Sequence, residues 1–184
     1  MPVSKRLSLL FIALLVFVMA GCSALGFGSK SGVSTPERTV AVSAESATEA
    51  QRLIAEARTS NQLRLTEAQF TSLLAEQLAA GGADSPVENL TVWFEPGEVV
   101  MRGQMKEGVL PVSGELILSG ELAANDGVLE IAVKEAKMAG VKVPGPLIGT
   151  LNATLNAALA QADVARARIK TISLTTGVID IVRE

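Results

Sequence analysis

The chain has 184 residues, of which 48% are hydrophobic, and its 16 basic and 19 acidic residues give a formal net charge of −3 at pH 7. It has one cysteine and neither histidine nor tyrosine, which excludes an intramolecular disulfide, a histidine-based catalytic triad and a histidine metal site. The negative charge and the lack of a basic motif argue against a nucleic-acid partner.

Residues 1–21 have the features of an export signal. A positively charged start precedes an almost wholly apolar run over Leu7–Met19, which is short for a membrane span. Met19-Ala20-Gly21-Cys22 resembles the bacterial lipobox, with Met in place of the usual Leu. The resemblance implies cleavage before Cys22 and diacylation of its thiol with palmitate-type chains. The alternative is an ordinary signal peptide, or an uncleaved anchor, in which Cys22 is incidental.

Residues 22–38 are predicted to be the lipidated cysteine and a flexible linker, because Ser23–Pro36 is rich in Ser and Gly and has no periodic pattern. A linker of this length has an r.m.s. reach of roughly 20 Å. Ser23 stands where an inner-membrane-retaining Asp would follow a lipidated cysteine, which favours the outer membrane if the cell has two. We therefore expect a bacterial cell-envelope protein, exported and lipid-anchored to the outer face of a membrane.

Residues 39–184 are predicted to form a single domain. Thr39–Val42 is a candidate short strand, and Ser46–Glu49 has the pattern of a capping box before a helix that ends near Arg58. Gln62–Leu65 is predicted to be extended.

A second capping box, Thr66–Gln69, predicts another helix. Gly81-Gly82 is expected to end it. The apolar residues with helical spacing, which we expect in the core, are Phe70, Leu73, Leu74 and Leu78.

A hairpin follows, with Pro96-Gly97 as its turn and Glu95 opposite Glu98. Alternation over Leu90–Phe94 places Trp93 on the face away from the apolar side chains. An outward Trp suits a membrane interface or a partner surface. The alternative is that a neighbouring loop or helix covers it.

The longest alternating pattern runs from Leu110 to Lys142 and predicts a long hairpin around which the domain packs. Asn, Asp and Gly tolerate positive φ, so a turn is expected at Asn125-Asp126-Gly127. A two-residue loop at Asn125-Asp126 would bring the apolar residues to one face. The resulting cross-strand pairs are Leu122 with Leu129, Gly120 with Ile131, and Leu118 with Val133.

Pro146 suits the first turn of a third helix. Its apolar stripe is Leu147, Ile148, Leu151, Leu155 and Leu159, with Asn152, Thr154, Asn156 and Gln161 expected opposite. A last hairpin with Thr176-Gly177 as its loop pairs Leu174 with Ile179 and Ile172 with Ile181.

Arg166, Arg168 and Lys170 occupy alternate positions before that hairpin. Three positive charges on one face would suit lipid phosphates, each contributing on the order of 1 kcal/mol near an anionic surface. The alternative is a solvated strand face.

Chemistry-bearing patterns are missing from the rest of the chain. The acidic residues lie at helix starts and strand exteriors, without the spacing of a calcium loop, and the Gly-rich segments lack a phosphate-loop pattern. We therefore expect no catalytic residue, no metal and no cofactor, and a protein that is not an enzyme.

Three segments together resemble the YpmS-like and LmeA-like bacterial envelope proteins. They are Leu65–Leu74, the turn Gly140–Pro144, and the final segment Ile172–Ile181. Members of these families are anchored or secreted and in part described as phospholipid-binding, and they offer no catalytic motif. The resemblance implies helices lying on a curved antiparallel sheet, similar to the tubular lipid-binding folds.

The expected fold is α+β, a curved antiparallel sheet of long hairpins covered by two or three amphipathic helices. We expect a lipid or other apolar ligand between sheet and helices, because alanines on the helices would leave room there. The predicted ligand-lining residues are Leu116, Leu118, Ile131, Val133, Leu151 and Leu155. The alternative is a non-catalytic structural or assembly lipoprotein with a protein-interaction surface, which should have a closed interior and an exposed apolar patch.

Overall fold

The structure is a computed structural model that describes residues 33–80, 87–106, 114–162 and 168–184. The predictions for residues 1–32, which include Cys22, and for Gly81-Gly82 and Arg166 lie outside the described residues. The helices are α1 (Ala44–Ser60), α2 (Glu67–Ala80) and α3 (Gly145–Gln161). The strands are β1 (Gln62–Thr66), β2 (Val87–Glu95), β3 (Glu98–Met105), β4 (Gly114–Asn125), β5 (Val128–Met138), β6 (Val141–Lys142), β7 (Ile169–Thr175) and β8 (Val178–Arg183).

The strands form two antiparallel sheets, in the orders β2-β3-β4-β5-β6 and β1-β8-β7. Two backbone hydrogen bonds join the sheets. The Ile169 N–H donates to the Gly127 carbonyl at 2.9 Å, and the Gly177 N–H donates to the Phe94 carbonyl at 3.1 Å. α2 packs on β2, α3 on β5, and α1 on α2 and β1. The predicted α+β class, an open curved sheet with helices, is confirmed.

Local signals account for two of the helix starts. The Thr66–Gln69 capping box is confirmed, because the Gln69 side chain accepts from the Thr66 N–H at 2.9 Å and the Thr66 hydroxyl accepts from the Gln69 N–H at 3.3 Å. The first helix is capped three residues earlier than predicted, since Ser43 is the N-cap and accepts from the Ser46 N–H. Thr39–Val42 forms no strand.

Two short hairpins have the predicted register. Glu95 pairs with Glu98 around Pro96-Gly97, and Leu174 pairs with Ile179 around Thr176-Gly177. In each turn glycine takes the positive φ that the second loop position requires.

The predicted register of the long hairpin is wrong. Its loop is Asp126-Gly127, with φ of 51° and 77°, and Leu122 pairs with Ile131. A two-residue turn that needs positive φ at both positions is best served by Asp-Gly, which moves the loop one residue along. A bulge between Ser119 and Gly120 then pairs Leu118 with Ala136. A Cβ at Gly120 would lie 2.4 Å from the Ala132 carbonyl oxygen, so only glycine fits there.

α3 covers the outer edge of β5, and this corrects the prediction that Asn152 and Asn156 lie on its far side. The Ile131 N–H donates to Asn156 Oδ1 at 2.8 Å, and Asn156 Nδ2 donates to the Ile131 carbonyl at 3.0 Å. The Val133 N–H donates to Asn152 Oδ1 at 3.1 Å. Because β6 has only two residues, these amides satisfy backbone groups that no strand reaches.

Candidate functional site

Trp93 lies on the outer face of the large sheet, as the alternation predicts, but it is covered. Its exposed fraction is 2%, and its Nε1–H donates to the Arg38 carbonyl at 2.9 Å. The chain just before α1 therefore covers the indole. The alternative in which neighbouring chain covers Trp93 is confirmed, and contact of this side chain with a headgroup or bilayer is excluded in this structure.

The Arg38 side chain fastens the same segment to the domain. Its guanidinium donates to both carboxylate oxygens of Glu67, to Glu95 Oε1 at 2.6 Å and to the Phe94 carbonyl at 2.8 Å. Glu67 is 8% exposed, and its Oε1 also accepts from the Phe94 N–H at 2.7 Å. The hydrogen bond with Glu67, the largest cause, and that with Glu95 hold the pKa of Arg38 above its usual range.

We call Arg38, Glu67 and Glu95 the entry clamp. It ties residues far apart in the chain, at the start of α2 and at the β2–β3 turn. The domain therefore begins before Thr39, where the sequence placed its start. Because Arg38 pairs with both carboxylates and fixes all three side chains, we interpret the clamp as a structural ion-pair network.

The predicted ligand-lining residues lie in the packed core. Five of them are buried in one contiguous hydrophobic cluster, and the sixth, Val133, is half-buried against it. The five are Leu116, Leu118, Ile131, Leu151 and Leu155. Alanines expected to leave room are themselves buried, including Ala50 and Ala158. Small side chains let a helix backbone approach its neighbours closely, so they close this interior.

A cleft does lie between helix and sheet, at different residues. It has a volume of about 360 Å³ between the C-terminal half of α2 and the start of β2. Its apolar lining is Ala75, Leu78, Ala79, Val87 and Leu90, and its polar lining is Glu88, Asn89 and Lys106. Asn89 has a φ of 52°, at a bulge that turns β2 away from regular pairing. We call this site the α2–β2 cleft.

Two further clefts lie at helix margins. One, of about 280 Å³, is lined by α1, α2 and the end of α3, and includes Leu73 and Arg58. The other, of about 570 Å³, lies at the starts of α1 and α2 and includes Glu45 and Glu49. The predicted lining residues belong to none of these three clefts.

Of the predicted basic contact residues, Arg168 and Lys170 are described, and both are exposed. A register shift between Ile169 and Thr171 makes Lys170 a bulge residue. Alternation therefore does not place the two cations on a shared strand face. Their role in headgroup contact stays a prediction.

Sequence reasoning did not find the entry clamp or the α2–β2 cleft. Glu67 belongs to a capping-box pattern, and Arg38 lies in a segment without periodicity, so no local pattern connects them. In the described ranges, no helix is long and apolar enough to cross a bilayer. The same ranges hold no group of three or more His, Cys, Asp or Glu side chains arranged to bind a metal.

Comparison with known proteins gave no matching family model and no matching curated protein.

Proposed function

We propose that this protein is a non-catalytic envelope lipoprotein, attached through Cys22, whose domain binds the apolar chain of an amphiphile in the α2–β2 cleft. The lipobox pattern and the Ser- and Gly-rich segment after it support the attachment.

The single observation that carries the binding proposal is the chemistry of the cleft. Its lining combines five apolar residues with three polar ones, and its volume of about 360 Å³ is within the range of roughly 300–1,000 Å³ common to ligand sites. Glu88, Asn89 and Lys106 supply polar groups of the kind that fix a ligand's orientation. An acyl chain suits the apolar part of this lining, since each buried CH₂ contributes roughly 0.8 kcal/mol.

Ala75 and Ala79 lie one helical turn apart on α2 and keep the cleft open. Ala79 is exposed, so a large side chain there would fill the cleft without entering the core. The test is binding of a fluorescent fatty-acid analogue to the full chain in detergent, with native mass spectrometry for co-purified lipid. Ala79→Trp should lose most probe binding and most bound lipid.

The matched control is Ala153→Trp, on the exposed surface of α3 and outside the three described clefts. It should bind the probe as the wild type does, with an equal thermal midpoint for both variants. Unchanged probe binding in Ala79→Trp, or an equal loss in the control, would refute the cleft as the binding site.

A second candidate is a structural or assembly lipoprotein that presents a protein-interaction surface. The burial of Leu118, Ile131 and Leu155 favours it, because the described core is closed at the place where the sequence predicted a lipid site. Absence of both bound lipid and probe binding in the wild type would select this candidate.

A further inference from the structure

We propose that the corner formed by Met138–Gly149, where β5 turns into β6 and leads into α3, docks on the surface of an anionic phospholipid bilayer. The proposal rests on the proposed membrane attachment, because attachment keeps a bilayer close to the domain. It is independent of ligand binding in the α2–β2 cleft.

The corner is apolar and exposed. Lys142 carries the only polar side chain in Met138–Gly149. Val141 is 71% exposed, the largest value among the exposed large hydrophobic residues of the described chain. Pro144 and Pro146 are exposed beside it, and the first turn of α3 adds half-buried Leu147 and Ile148. Exposed apolar groups gathered in one place indicate a contact surface.

The backbone fixes this exposure. The Ala139 N–H donates to the Glu115 carbonyl and the Val143 N–H to the Ala136 carbonyl, both at 2.9 Å. Ala139 and Gly140 form the β5–β6 turn with φ of 48° and 79°. Such turns favour Asn or Asp at the first position, and alanine there is strained. With alanine and glycine at these two positions, the β5–β6 turn carries no polar side chain.

Two lysines give the corner its preference for anions. Lys137 and Lys142 are direct cross-strand partners, an arrangement in which like charges destabilise a sheet. Neither forms an ion pair with another described residue, whereas Lys134 on the same strand pairs with Glu121. An anionic surface would relieve the repulsion, and each lysine should strengthen docking about fivefold, as roughly 1 kcal/mol per basic residue gives.

The exposed apolar side chain and the positive charge lie on opposite faces of β6. Lys142 and Val141 are consecutive, so their side chains leave opposite faces of the strand. Lysine stems extend along apolar surface while the ammonium stays in water, so Val141 can enter the headgroup region while the lysines reach phosphates. A bilayer supplies both environments within a few ångströms, and this favours it over a purely acidic protein surface.

The experiment uses the full chain reconstituted into phosphatidylcholine vesicles, with or without phosphatidylglycerol. Val141→Cys is labelled with an environment-sensitive dye, and nitroxide lipids in the bilayer serve as quenchers. The position control is Thr171→Cys, on the exposed face of the small sheet. Unmodified protein taken through the same labelling reports any reaction at Cys22.

The charge variant combines Lys137→Gln with Lys142→Gln. Its matched control, Arg64→Gln with Lys134→Gln, removes the same net charge at residues that pair with Asp180 and Glu121. We expect quenching at position 141 in phosphatidylglycerol vesicles, a ratio of docked to undocked protein roughly 30-fold lower in the charge variant, and little change in the control. Quenching should fall as salt is raised.

No quenching at position 141 would overturn the proposal, as would equal quenching at position 171, which would mean partition of the dye itself. Equal quenching with and without phosphatidylglycerol would also overturn it, as would an equal loss of quenching in the charge variant and its control. So would protection of the dye that depends on protein concentration, since that would identify a second copy as the occupant. Fatty-acid probe binding by the same variants tests the α2–β2 cleft separately.

Discussion

Asn156 should be worth more to stability than its half-buried position on α3 suggests. Its side-chain amide makes the hydrogen bonds that a neighbouring strand would make. It accepts from the Ile131 N–H at 2.8 Å and donates to the Ile131 carbonyl at 3.0 Å. Asn156→Ala removes both bonds and leaves two backbone groups beneath a helix that restricts their access to water.

The cost follows from these two bonds. Each contributes about 0.5–1.5 kcal/mol net, and an unsatisfied buried group costs about 1–3 kcal/mol. The higher helix propensity of alanine offsets a few tenths of a kcal/mol of this loss in the free energy of unfolding. We expect the free energy of unfolding to fall by about 2 kcal/mol, which lowers the thermal midpoint by roughly 4–8 °C for a domain of this size.

Urea unfolding of the full chain measures this loss, with Thr154→Ala as the control. The Thr154 hydroxyl donates to the Thr150 carbonyl within α3, so this variant has a similar change in helix propensity without touching β5. It should stay within about 0.5 kcal/mol of the wild type. Hydrogen exchange should accelerate at the Ile131 N–H and much less at the Val133 N–H, which Asn152 still holds. Equal stability of the two variants, or unchanged exchange at Ile131, would refute the reasoning.

Two other predictions concern attachment to the membrane and to the domain. Cys22→Ser should leave the precursor unprocessed and unlipidated, and equal labelling of mutant and wild type by a palmitate analogue would contradict this. Arg38→Met should lower the free energy of unfolding by about 1–3 kcal/mol, less than for a fully buried pair because a third of the Arg38 side chain is exposed. Adding Glu67→Gln should recover part of that loss, and a double variant whose loss equals the sum of the single losses would show that the two side chains are not coupled.

Turn chemistry made much of the fold predictable. Pro96-Gly97 and Thr176-Gly177 each allow a single two-residue loop, and both registers are as predicted. Asn125-Asp126-Gly127 allows two loops, and the sequence alone favoured the wrong one. Between the loop and the bulge, the error moved each partner by two positions, as from Leu129 to Ile131 opposite Leu122, which preserves the face of each side chain. Beyond the bulge the partner of Leu118 moved by three positions, from Val133 to Ala136, which alternation could not predict.

The site was less predictable, because periodicity shows on which face of a strand a side chain lies but not which other segment packs over that face. Alternation placed Trp93 outward, but the segment that covers it has no pattern of its own. Periodicity also treats the wall of a cavity and a packed core alike, since both are apolar. Leu118 and Ile131 therefore fit the pattern of a ligand site, whereas the structure buries them against their neighbours.

The spacing of Asn152 and Asn156 is a sequence signal for contact with a strand edge, whereas polar residues of an amphipathic helix are usually assigned to its solvent face. Residues four apart on a helix rise about 6.0 Å, close to the roughly 6.7 Å between residues two apart on a strand. Two asparagines at that spacing can therefore follow one open strand edge, as they do at Ile131 and Val133. A short final strand followed by an Asn-x-x-x-Asn pair in the next helix is thus a sequence pattern that indicates this arrangement. The same contact fixes α3 against β5, so it closes the edge to other strands and holds the Met138–Gly149 corner in place.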